Sequence, residues 1–237
     1  MSRSVTKNQK IIDTEILKRE IIKTDDGSSS IYLPDWDESY HSKHGAVQEA
    51  YHVFIEKGLD LFQENSKVKI LEIGFGTGLN CFISFLESTK RNLELIYDGV
   101  EAFPLKVEEI SQLNYVKILN AESNRNIFRI IHEVHWDRYS KISSNFKLIK
   151  RKQFFNEIDD KNKFDLIYFD AFGARVQPEL WTEEIFKLMY NSLKNGGVLV
   201  TYSAKGSVRR AMIAVGFSIE RLPGPPGKRE MLRGTKH

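Results

Sequence analysis

The amino-acid sequence predicts an α/β domain built on a mostly parallel sheet. Three observations predict it. Strands and helices alternate from Lys67 to Gly216, the first of these strands runs straight into a glycine-rich turn, and the two closing strands are joined only by the Gly/Pro turn "PGPPGK". Alternation of this kind places helices on both faces of a parallel sheet. The closing pair has no crossover helix between its members, so it must be antiparallel. Seven strands are expected in the sheet, the last of them antiparallel.

In chain order, residues 1–10 are polar and expected to be loose. "EILKREIIKTDDGSSSIYLP" reads as two short strands about a turn at Asp25–Ser30, where Asp, Gly and Ser supply the turn chemistry. From Ala46 the period changes. Val47, Ala50, Tyr51, Phe54 and Ile55 form one apolar stripe at helical spacing, with Glu49, His52 and Glu56 on the opposite face. Gly58 interrupts, and an apolar stretch continues to Phe62. Residues 1–62 therefore read as an N-terminal hairpin and helix extension, packed on a main domain of residues 63–237.

Within that domain "KVKILEIG" is a buried strand, followed by a helix from Gly78 to Thr89. "LELIYDGVE" is the second strand, and helical pieces run from Pro104 to His135. "FKLIK" is the third strand, with "QFFNEI" a short helix. "FDLIYFDAF" is the fourth, and "TEEIFKLMYNSL" a helix. Asn195-Gly196-Gly197 stops that helix and opens the fifth strand, "GGVLVTYS". "SVRRAMIAVG" is the last helix, before "FSIERLP" and "REMLRG".

The chain has 237 residues, 41% of them hydrophobic, enough for one full domain. A net charge of +3 permits a polyanionic partner without demanding one. Cys81 is the single cysteine, which excludes an internal disulfide and suits a reducing compartment. No apolar run reaches the roughly 18–20 residues that cross a bilayer. The N-terminus lacks a signal-peptide core, so a cytoplasmic protein is expected.

The strongest motif is "LEIGFGTGLN". Gly74, Gly76 and Gly78 let the chain turn tightly and let a ligand approach the backbone, while the next helix offers its N-terminal N–H groups. A dinucleotide fingerprint needs a third glycine where Leu79 stands. The G-x-G-x-G form behind Glu72 suits S-adenosylmethionine instead, because an acid beside the turn neutralises an ammonium and repels a pyrophosphate. Asn80 lies at the start of the same helix. Glu101, at the tip of the second strand, can accept both ribose hydroxyls of a nucleoside in either cofactor class. Beyond the third strand Lys152 cannot accept a hydrogen bond from an adenine amine, leaving Gln153 or a backbone carbonyl.

Asp170 sits at the carboxyl tip of the fourth strand, beside the glycine turn, where open α/β sheets carry their chemistry. It can hold an amine in line with an electrophilic methyl, or simply cap the next segment. Phe172 can wall that place. Three of six histidines fall within "YHSKHGAVQEAYH", but their spacing converges on no metal. Cys81 reads as packing.

With "LEIGFGTGLN", "DGVEAFPL", "FDLIYFDAFGARVQPELWT" and "KGSVRRAMIAVGFSIERLPGPPGKREML" laid in order, the chain resembles the tRNA 5-methylaminomethyl-2-thiouridine methyltransferases, MnmD and the methyltransferase half of bifunctional MnmC. The likeness covers roughly residues 20–235. It implies a Rossmann-like class I fold, S-adenosylmethionine as cofactor, and N-methylation of the 5-aminomethyl group of a wobble 2-thiouridine in tRNA. At the reaction end Asp170 and Phe172 are the candidates, and a polar lead-in folded over the cleft lets Tyr40, Ser42 and His44 meet the substrate base or the cofactor's amino-acid end, with Glu49 in reach of that same end. An RNA partner needs cations around the pocket. Lys205, Arg209 and Arg210 at the last helix, with Lys228 and Arg229 in the last turn, are the candidates. No flavin domain and no metal are expected. An aminopropyltransferase on the same fold and a non-catalytic RNA-binding module are the competing readings.

Overall fold

The structure is a computed structural model and describes residues 18–237; the polar stretch 1–10 lies outside them. β1 (Glu20–Lys23), β2 (Ser29–Leu33) and β3 (Glu38–Ser39) form a small antiparallel sheet. Asp26 organises its first turn. Its Oδ1 accepts the Ser28 N–H at 3.0 Å, and its Oδ2 accepts the Val47 and Gln48 N–H groups at 3.1 Å each. The same carboxylate thus caps α1 (Ala46–Ala50), whose own N-cap position is Gly45 and offers no side chain.

The helix continues through Tyr51–Glu56 in wider, i→i+5 turns. That change of pitch brings Val53 into the core beside Phe54 and Ile55, which a 3.6-residue period does not anticipate. Glu49, expected on the face opposite the apolar stripe, is only 8% exposed. It is buried because partners from two directions satisfy it: the Ser42 N–H at 2.9 Å and the Lys228 ammonium.

Among the described residues the main sheet has eight strands rather than seven. In chain order the elements are β4 (Lys67–Ile73), α2 (Leu79–Lys90), β5 (Glu94–Val100), α3 (Val107–Ile110), α4 (Tyr115–Ile118), α5 (Arg125–Glu133), β6 (Ser140–Lys141), β7 (Phe146–Arg151), β8 (Phe164–Phe169), α6 (Glu183–Ser192), β9 (Leu193–Thr201), α7 (Gly206–Ala214), β10 (Ser218–Pro223) and β11 (Glu230–Thr235). The spatial order is β10-β11-β9-β8-β4-β5-β7-β6. β7, β5, β4, β8 and β9 are parallel neighbours, and β11 pairs antiparallel with both β9 and β10, as expected. The unexpected strand is β6, two residues at the edge, too short to leave a periodic signal. β9 starts three residues before Gly196, because an irregularity between Phe164 and Leu166 lets β8 pair with Leu193.

Two apolar layers clamp the sheet. On one face Val68, Ile70, Leu95 and Leu148 pack with Phe82 and Phe85 of α2 and with Val53, Phe54 and Leu59 of the N-terminal segment. Each such fully buried side chain contributes about 1.5–3 kcal/mol. The layer runs without a break across residue 62. On the other face Leu71, Ile73, Ile167 and Leu199 pack with Phe186, Met189 and Met212. Connections leave β4 in one direction and β8 in the other, so a crevice opens at the carboxyl ends of this pair.

Candidate active site

The crevice begins at the glycine turn. Gly74 and Phe75 both give their N–H groups to the Val100 carbonyl, at 3.1 and 3.0 Å, which ties β4 to the tip of β5. Gly74 has φ +90°, and a Cβ there would lie 2.6 Å from the Asp170 carbonyl oxygen. Only glycine lets the two strand tips approach this closely. The Gly76 N–H donates to Glu101 Oε2 at 3.0 Å, while Glu101 Oε1 accepts the Phe103 N–H at 2.9 Å. Burial raises the Glu101 carboxyl above its ordinary range.

A cavity of about 840 Å³ extends from this turn. Glu101, Asp170, Phe172, Trp36, Tyr40 and His41 are among the residues that line it. Phe172 receives Tyr40 and Trp36 edge to face, with ring centroids at 5.0 and 5.5 Å. Arg175 fastens the wall. Its guanidinium donates to the Trp36 and Asp37 carbonyls and to Glu38 Oε2, at 3.2, 2.6 and 3.0 Å. His41 sits between Ser30 Oγ at 3.0 Å and Thr77 Oγ1 at 3.4 Å, and burial lowers its pKa to about 4, so it is neutral.

Asp170 accepts the Asn80 side-chain N–H at 2.9 Å, and its backbone N–H donates to Ile73. Burial lifts its pKa to about 7 and the Glu49 carboxylate adds to the lift; the Asn80 hydrogen bond and the Lys228 ammonium oppose it. Lys228 pairs with Glu49 and lies over the Tyr202 ring at 3.8 Å, while the Tyr202 hydroxyl donates to the Ala171 carbonyl at 2.8 Å. The last turn is thereby latched to the N-terminal helix beside Asp170.

The structure brings Tyr40, Gly74, Gly76, Asn80, Glu101, Asp170 and Phe172 to the cavity. Other expected residues lie elsewhere. Glu72 points into the α2 face, 1% exposed, so it cannot meet a ligand's ammonium directly. Alternation along β4 puts it on the same side as Val68 and Ile70. Gln153 is turned away: its Oε1 accepts from Arg151 Nε at 3.3 Å, and Phe155 and Asn156 reach the cavity in its place. Gly78, at φ +69°, faces the His132 ring and starts α2. Ser42 gives its N–H to Glu49, and His44 lies 3.4 Å from Asp25 and against Gly227. Lys228 is engaged by Glu49 rather than free for phosphate. Lys205, Arg210 and Arg229 are exposed outside the cavity, and Arg209 is half-buried there.

Sequence reasoning passed over Arg19, Trp36, His41 and Thr77. "LPDWDESYH" carried a usable signal, two aromatics close together in a polar lead segment. Arg19 had none, since its contacts with the Phe103 carbonyl at 3.0 Å and with Glu109 at 3.2 Å are long-range.

The family described as "S-adenosyl-L-methionine-dependent methyltransferase" matches residues 121–237. The tRNA 5-methylaminomethyl-2-thiouridine biosynthesis bifunctional protein MnmC of Actinobacillus pleuropneumoniae is 29% identical over 226 residues, 85% of this chain and 33% of that one. Its namesake in Leptospira borgpetersenii is 31% identical over 216 residues, 84% and 32% of the two chains. The chain thus spans about a third of the length of these relatives. MnmC2 from Aquifex aeolicus, a crystal structure, matches with a TM-score of 0.75 at 25% identity, covering 94% of this chain and 71% of that one. This chain is an S-adenosylmethionine-dependent methyltransferase related to MnmC. Spermidine synthase from Thermotoga maritima, at 16% identity and a TM-score of 0.52 over 92% of this chain and 74% of that one, shares the fold.

The cavity of this methyltransferase fits its cofactor. Glu101, Glu157, Asp170, Glu179 and Glu184 line it, against Arg19, which is already committed to Glu109 and backbone carbonyls. Such a lining favours a ligand carrying a sulfonium and an ammonium over one carrying a pyrophosphate. Asn80 Oδ1, buried and without a partner among the described residues, is an acceptor in reserve.

Proposed function

We propose that this methyltransferase N-methylates the 5-aminomethyl group of wobble 5-aminomethyl-2-thiouridine in tRNA, giving 5-methylaminomethyl-2-thiouridine. The observation that carries the reading is Asp170. It is a carboxyl group at the switch point, poised near neutrality, facing a cavity walled by Trp36, Tyr40 and Phe172. The names of the relatives point to the same modification.

S-adenosylmethionine bound at the glycine turn supplies an electrophilic methyl. The acceptor amine reaches the site protonated and has no lone pair until it yields a proton. Asp170, with its pKa near 7, takes that proton and holds the nitrogen in line. The nitrogen–carbon bond forms as the sulfur–carbon bond breaks, and the nitrogen's surplus proton leaves to solvent. Trp36, Tyr40 and Phe172 offer faces and edges against which an extruded base stacks, and they exclude water. Exposed Lys205, Arg210 and Arg229, with Arg209, sit where phosphates of the same RNA pass. Among the described residues no helix is long and apolar enough to cross a membrane and no group of three or more His, Cys, Asp or Glu converges on a metal. We place the reaction in the cytoplasm, with tRNA.

The acidic lining also suits a free polyamine, so aminopropyl transfer is the second reading. One experiment separates them. tRNA from cells lacking the activity is incubated with the protein and methyl-labelled S-adenosylmethionine, and its wobble nucleosides are resolved by mass. Gain of one methyl on 5-aminomethyl-2-thiouridine is expected. Label-free tRNA, with an aminopropyl group appearing on putrescine from the decarboxylated cofactor, overturns the proposal.

A further inference from the structure

A second cavity, of about 480 Å³, lies away from the first, on the open face of the sheet. Strand register places Lys69 of β4 beside Ile96 of β5, Ile96 beside Lys147 of β7, and Lys147 opposite Lys141 of β6. These four residues make one row across four strands, about 14 Å from end to end at about 4.8 Å per strand. Alternation turns them all away from the α2 face, where Val68, Ile70, Leu95 and Leu148 are buried. The helices of the opposite face, α6 and α7, cover β8 and β9; the apolar layer beneath them takes Val100 alone from β5 and nothing from β7. The row is therefore left open to solvent, with Tyr139 and Lys163 at its border.

The acids near the row are already engaged. Glu94 is paired with Lys67 at 2.6 Å, Asp165 with Lys194 at 2.5 Å, and Asp98 with Lys163 at 2.8 Å and Tyr139 at 2.9 Å. Asp160 is taken by Arg151 and Lys163, at 2.5 and 2.9 Å. Among the described residues Lys69, Lys141 and Lys147 have no carboxylate within ion-pair distance. Like charges placed directly opposite on paired strands, as Lys141 and Lys147 are, destabilise a sheet. A local conflict of this kind, held on an open face, marks a surface that meets an anion.

We infer that the Lys69–Lys147–Lys141 row is an RNA-backbone docking surface, which grips phosphates of the tRNA away from the nucleotide being modified. The inference rests on the tRNA reading above. The row stands four residues before Ile73 on β4, about 13 Å along the strand at about 3.3 Å per residue. A stem can span that distance while its loop nucleotide enters the cavity. Lysines on a flat sheet contact phosphates as point charges and read no bases, so the row adds affinity and orientation without sequence choice.

The test is the salt dependence of tRNA binding by the full chain, followed by filter retention, for wild type and for the triple variant Lys69→Gln, Lys141→Gln, Lys147→Gln. S-adenosylmethionine affinity and melting temperature serve as controls. The variant is expected to bind tRNA at least about ten-fold more weakly, with a slope of log affinity on log salt shallower by about 2, at about 0.7–0.9 per lost contact. The double variant Lys141→Gln, Lys147→Gln touches only exposed residues and should show the larger part of the effect. In wild type, bound tRNA should shield these lysines from acylation. Wild-type binding with unchanged affinity and slope in both variants overturns the row and leaves the tRNA reading standing. Failure of wild type to bind or methylate tRNA overturns the reading itself, and the row with it.

Discussion

Two carboxyl groups stand at the carboxyl ends of neighbouring strands, Glu72 on β4 and Asp170 just past β8, and burial raises both pKa values. Glu72 faces the apolar layer under α2, next to Asn80 and Tyr97, and its Oε2 has no hydrogen-bond partner among the described residues. Asp170 faces the cavity and holds the Asn80 amide. One is a core acid whose carboxyl burial raises well above its ordinary range; the other, raised to about 7, lines the cavity. Orientation, not residue type, separates the acid sealed in the core from the acid at the cavity, to which the proposed function gives the reaction.

The sharpest way to break this comparison is to exchange the consequences of removal. Asp170→Ala is expected to lower kcat for methyl transfer by about 10²–10⁴-fold while cofactor affinity, read by calorimetry, stays within a few-fold. Glu72→Gln should leave transfer within a few-fold of wild type. If Glu72→Gln abolished transfer in a protein that still melts cooperatively, the two acids would not differ as described.

Stability against pH sharpens it further. The folded protein keeps the Glu72 proton at pH values where the unfolded chain has released it. The contribution of Glu72 to stability therefore falls as pH rises from the unfolded value toward the raised folded one. Glu72→Gln removes that slope, so its melting temperature should gain on wild type as pH increases; parallel curves would contradict the assignment. In kinetics, kcat/KM should climb with pH through about 7 as Asp170 loses its proton, and Asp170→Asn should lack that limb. The smallest effects belong to the latch. Lys228→Met should move the inflection upward and Glu49→Gln downward, each by less than about one pH unit, since the two charges act on Asp170 with opposite sign.

What the sequence made legible was local. The glycine turn, the acid at the tip of β8 and the antiparallel finish each rest on contiguous residues with a period or a turn chemistry of their own. What stayed hidden depends on distant partners. Glu49 lies 179 residues from Lys228, so its burial follows from a contact that no helical period records. Trp36 and Tyr40 meet Phe172 only after β2 and β3 have folded against the segment beyond β8. Gln153 was chosen because its chemistry fitted, and the chain turned it toward Arg151 instead. The lysine row is invisible along the chain and appears only when register aligns β4, β5, β7 and β6.

The close approach at Gly74 limits how relatives of this protein can diverge. With the Asp170 carbonyl only 2.6 Å from where a side chain would begin, the floor of the pocket has no room to be remodelled by substitution. On the proposed function, new acceptor preferences would arise in the side chains that line the rest of the cavity, Trp36, Tyr40 and Phe172 among them, and engineering for altered specificity should begin there.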